Sequence, residues 1–102
     1  ITTLPFEIGR DPTLPDGLQA CTVPDAAAKV SRVHLRLEKH QGGAWVVHNL
    51  AYQSNGTWRN GEKLDQHFTL TPVPATSKAG WHILGERNLS SHSVAIRVEQ
   101  AV

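Results

Sequence analysis

One cysteine, no methionine, one tyrosine and two phenylalanines in 102 residues leave few of the usual handles for covalent or metal chemistry. Cys21 cannot form an intrachain disulfide by itself, and no Cys or His pairs fall at finger-like spacing, so packing must hold the fold and no metal or other cofactor is expected. Nor does the run Leu18-Gln19-Ala20-Cys21 place a basic group near the thiol, so Cys21 is expected as a small, buried or half-buried side chain rather than a nucleophile. Neither sign of charge is in excess: 10 Lys+Arg stand against 9 Asp+Glu, formally +1, which argues against a nucleic-acid partner, since such a binder would show a basic face. No apolar run approaches the roughly 20 residues that span a bilayer, and no basic-then-apolar segment opens the chain. A cytoplasmic protein segment without membrane contact is therefore expected. With Ile at position 1 and no Met anywhere, 1–102 reads as one domain from a longer protein. A chain of this size buries roughly 65% of its unfolded surface, enough for one two-layer core but not for a cleft between lobes.

Helical periodicity is also missing. Apolar residues alternate instead, at Leu4-Phe6-Ile8, Val33-Leu35-Leu37, Trp45-Val47, Phe68-Leu70, Trp81-Ile83 and Val94-Ile96-Val98, as they do along half-buried strands. Between these runs lie Asp11-Pro12, Pro15-Asp16-Gly17, Gly42-Gly43, Asn55-Gly56, Asn60-Gly61 and the turn-rich stretch 72–80. The pattern predicts an all-β fold, a sandwich of two antiparallel sheets with the working loops at one end. Residues 26–29 can form no more than one helical turn. Pro5 lacks an amide donor, so the first strand is expected at a sheet edge. Trp45 and Trp81 carry core parity; Trp58 lies between two turns.

Three short segments carry the chemistry. Gly9-Arg10 ends the first strand on a planar guanidinium suited to an oxyanion. Ser31-Arg32-Val33-His34 offers a hydroxyl, a second guanidinium and an imidazole just before a strand, with His34 opposite in parity to Val33 and Leu35. Ser54-Asn55-Gly56-Thr57 precedes Trp58 and the turn Asn60-Gly61, where each Asn-Gly favours a tight reversal. Ser31 and His34 have no third group in sequence to orient the imidazole and no oxyanion donors, so a catalytic triad is not supported and the chain does not read as an enzyme.

In this order and at these separations, Gly9-Arg10, Ser31-Arg32-x-His34, Asn55-Gly56-Thr57 and Asn60-Gly61 resemble the forkhead-associated (FHA) domain, a phosphothreonine-peptide-binding β-sandwich related to SMAD-like folds. The resemblance implies that Arg10 and Ser31 contact the phosphate, with Ser54 on its far side and Arg32 as a further basic contact. By the same comparison Asn55 holds the bound peptide's main chain. His34 ties the loops together, and Gly9, Gly56, Thr57, Asn60 and Gly61 support the site. Where family members commonly carry Asp-Leu before the third loop, this chain has Asn49-Leu50. The implied partner is a phosphothreonine-containing protein in signalling or assembly; a phosphorylation-independent assembly surface is the alternative. A phosphothreonine brings about −1.5 to −2 charges, so a few charge-assisted contacts can hold it without a basic chain.

Overall fold

The computed structural model describes residues 4–91 and 93–100. Among the described residues nine strands run in chain order: β1 Phe6–Gly9, β2 Ala20–Thr22, β3 Leu35–Gln41, β4 Ala44–Asn49, β5 Thr57–Arg59, β6 Glu62–Lys63, β7 His67–Leu70, β8 His82–Leu84 and β9 Val94–Ile96. One sheet has the order β2-β1-β3-β4-β7 and the other β6-β5-β8-β9. The core lies between them. Leu35, Leu37 and Val47 are fully buried and pack with Ile8, Val23, Val30, Leu70 and Leu84, each contributing about 1.5–3 kcal/mol relative to exposure. The alternation at 35–37 and 68–70 therefore describes the strand faces correctly. Residues 26–29 form turns rather than a helix, and among the described residues no helix is long and apolar enough to cross a membrane.

Four expectations need correction. The five-stranded sheet is mixed rather than purely antiparallel, because β1 pairs in parallel with β2, Ile8 opposite Cys21. That short strand hides within the turn-rich 11–29 segment and returns by a crossover. In consequence β1 is not an edge strand; it lies between β2 and β3, and Pro5 is tolerated because pairing begins only at Phe6. Cys21 is exposed, since on the edge strand β2 Ala20 takes the inward position. The parity around Trp81 is reversed: His82 and Leu84 face inward, whereas Trp81 is 46% exposed and lies beneath the Arg97 guanidinium, 5.0 Å from the ring centre.

Glu7 anchors the segment that follows β1. Its carboxylate is almost fully buried and accepts from the Thr13 N–H at 2.8 Å, the Leu14 N–H at 3.1 Å and Arg36 Nη2 at 3.0 Å. Burial pushes its pKa upward, but the hydrogen bonds from Thr13, Arg36 and Leu14 together outweigh it and hold the carboxyl below its ordinary value. The loop that leaves Arg10 is thus tied back onto the sheet.

Candidate functional site

Gly9 brings two distant segments into backbone contact. A β carbon there would lie 2.1 Å from the Arg32 carbonyl oxygen and 2.9 Å from the Val33 Cα, so the glycine is required by close approach rather than by a left-handed turn. Across this gap Arg10 N–H donates to Ser31 O at 3.1 Å, Asp11 N–H to Arg32 O at 2.9 Å, and His34 N–H to Ile8 O at 2.8 Å. The half-buried Arg10 side chain is oriented by its Nε, which donates to Val30 O at 2.5 Å. Among the described residues its Nη groups have no hydrogen-bond partner and no carboxylate pairs with it. A fixed guanidinium is left with its fork free.

Ser31 and Ser54, 23 residues apart, meet with their hydroxyl oxygens 3.3 Å from one another. Ser54 is held from behind, its hydroxyl donating to Ala51 O at 3.1 Å. Beyond it opens a hollow of about 530 Å³ lined by Lys29, Ser54, Asn55, Trp58, Lys63 and Arg87, among others. Asn55 thus stands at the rim, exposed, and Arg32 is exposed beside Ser31. Asn60 and Gly61 sit on the β5–β6 turn, both at positive φ (53° and 82°), as a primed hairpin turn demands. They act at a distance, by setting the register that pairs Trp58 with Lys63. Lys29, Lys63 and Arg87 were not singled out in the sequence. Lys63 reaches the hollow only through that hairpin register, and its ammonium lies 5.0 Å from the Tyr52 ring centre.

His34 is fully buried, which strand parity does not explain, because β3 begins only at Leu35 and alternation has not yet set in. Its Nδ1 accepts from the Ser31 N–H at 3.0 Å, which places the ring proton on Nε2. Nε2–H then donates to Gly56 O at 2.8 Å and approaches Thr57 Oγ1 at 2.9 Å. The Thr57 hydroxyl donates to Asn49 Oδ1 at 3.2 Å, and Asn49 Nδ2 donates to Asp65 O at 3.2 Å. An amide is needed at 49 for this: it accepts at one end and donates at the other, whereas an ionised Asp could only accept. Gly56 O also receives the Gly85 N–H at 2.8 Å, so the second sheet joins the same knot.

Burial pushes the His34 pKa down to about 4, with the bond to Gly56 opposing it, and burial beside Arg59 does the same to His82, also to about 4. Both are bases whose folded-state pKa lies below the unfolded value near 6.5, so the unfolded chain binds more protons between pH 6.5 and 4. Their contribution is complete above pH 6.5 and is lost as pH falls toward 4. At pH 5 the loss is roughly 2 kcal/mol for each histidine. Urea unfolding at pH 7.5 and pH 5.0 measures it; equal midpoints would contradict the buried neutral imidazoles.

The FHA-domain family model matches residues 6–79, from the start of β1 past β7. The chain belongs to the FHA-domain family. Members of that family are generally phosphothreonine-binding interaction modules rather than enzymes. The chain is also similar in structure to the FHA domain of the CT664 protein from Chlamydia trachomatis, at a TM-score of 0.57 and 17% identity, over 94% of this chain and 76% of that one. At this identity the likeness establishes the shared sandwich fold. No curated protein matched the sequence. Within this FHA domain, Gly9, Arg10, Ser31, His34, Ser54, Gly56 and Thr57 are joined by direct contacts at one end of the sandwich, while Asn60 and Gly61 belong to the neighbouring hairpin.

Proposed function

We propose that this FHA domain binds phosphothreonine peptides through Arg10, Ser31, Arg32, Ser54 and Asn55. The observation that carries the reading is the meeting of Ser31 and Ser54 at 3.3 Å in the loops bracketed by Arg10. When the Ser54 hydroxyl turns its proton from Ala51 O and the Ser31 hydroxyl turns its own from Ser54, the site offers two hydroxyl donors beside a guanidinium fork without a carboxylate partner, a set suited to a tetrahedral dianion. In the adjoining hollow Lys29 is paired with Glu86 at 3.8 Å, and Lys63 and Arg87 remain as the positive excess, which would favour an anion on a nearly neutral chain. Asn55 at the rim has the paired donor and acceptor that an extended peptide backbone offers in return.

Calorimetric titration with a degenerate phosphothreonine library tests the reading. Binding should be lost with the unphosphorylated library and weakened at least about tenfold by Ser31→Ala, because hydrogen bonds to charged groups contribute about 1.5–3 kcal/mol. Equal affinity for both libraries, surviving Ser31→Ala, would favour a phosphorylation-independent assembly surface instead.

A further inference from the structure

On the outer face of the five-stranded sheet, three adjacent strands each present one metal-ligating side chain. His48 on β4 and His67 on β7 are directly opposed in the ladder, with rings stacked at 4.6 Å and 17° between planes. Glu38 on β3 joins them through a bulge: the register shifts between Leu37 and Lys39, leaving Glu38 without a cross-strand partner. Its carboxylate oxygen lies 3.4 Å from His48 Nδ1, and the ligating atoms of all three residues fall within 4.8 Å of one another. No other group of three such side chains occurs among the described residues.

We propose that Glu38, His48 and His67 form a binding site for a first-row divalent transition metal, with zinc as its redox-inactive representative. Two ligands on one zinc lie about 3.3 Å apart, given Zn–N near 2.0–2.1 Å and tetrahedral geometry. Closing from 4.8 Å to that separation needs only side-chain rotation, which the partly exposed His48 and Glu38 are free to make on a fixed sheet. Imidazole with carboxylate selects zinc, copper, nickel or cobalt over magnesium and calcium, which prefer all-oxygen shells. The nearest guanidinium on this strand, Arg36, is bound to Glu7 and does not occupy the Glu38 carboxylate. Three protein ligands leave a fourth position open to water or to an incoming donor.

Titration of the whole chain with zinc chloride in a non-chelating buffer tests the site. One ion per chain should bind in the micromolar range, unaffected by millimolar magnesium, with perturbation of the His48 and His67 imidazole resonances. His48→Ala and His67→Ala should each weaken binding at least about tenfold, and the double variant should abolish that class. Cys21→Ser should leave it unchanged. These side chains lie outside the core, so the variants can be checked for unaltered circular dichroism and melting before titration. Absence of saturation at millimolar zinc, or undiminished binding by the folded double variant, would overturn the assignment.

Discussion

His34→Ala should lower the stability of this FHA domain by roughly 3–5 kcal/mol and remove phosphothreonine-peptide binding with it. The estimate follows from what the truncation strands. Ser31 N–H, which is partly buried, loses its acceptor, while in the buried interior Gly56 O keeps only the Gly85 bond and Thr57 Oγ1 loses the imidazole donor. Each unsatisfied buried polar group costs about 1–3 kcal/mol, and the vacated ring volume adds a cavity term. For a domain of this length 1 kcal/mol corresponds to about 4–8 °C in melting temperature, so a drop beyond 10 °C is expected. The binding loss has a separate origin, because the imidazole spans the loop that carries Ser31 and the one that carries Gly56 and Thr57. Urea unfolding read together with peptide titration separates the two effects. Stability within 1 kcal/mol of the parent would mean that the knot around His34 carries little of the fold.

How much of this was legible beforehand depends on whether a residue acts locally or through register. Asn60-Gly61 could be read directly, since both φ values are a property of the dipeptide and its turn. Gly9 was correctly placed at the strand end, but its reason, a carbonyl 2.1 Å from where a β carbon would stand, is a tertiary fact that no local rule contains. His34 was assigned a tying role by family resemblance; its burial was invisible because the two-residue period applies only once pairing has begun. Trp81 failed for a related cause: at a strand's first turn either parity fits an apolar pair, and the inward histidine at 82 reversed it. Lys63 and the Glu38, His48 and His67 cluster required the pairing partners themselves, the first through a two-residue strand and the second through a bulge. The parallel β1–β2 pair was hidden because three residues, one of them an outward Cys, present no readable alternation.

Among the residues proposed to touch the phosphate, Arg10 is the one whose loss should weaken peptide binding most, and Arg10→Ala is expected to reduce affinity by about a hundredfold. With Nε engaged by Val30 O, the two Nη groups remain for the phosphate, and two charge-assisted bonds at about 1.5 kcal/mol or more each amount to two decades. The cost to folding should stay at about 1–2 kcal/mol, since the truncation breaks one partly buried side-chain bond to a backbone carbonyl. Arg10→Lys separates charge from shape. An ammonium keeps the positive charge but cannot satisfy Val30 O and fork onto two phosphate oxygens together, so it should recover only part of the lost affinity. If Lys restored binding fully, the arginine would be acting as a charge alone, and the bracket formed by Gly9, Ser31 and Val30 would not be what orients the ligand. If neither variant moved the affinity, the phosphate would have to sit elsewhere, with the basic hollow around Lys29, Lys63 and Arg87 the next place to look.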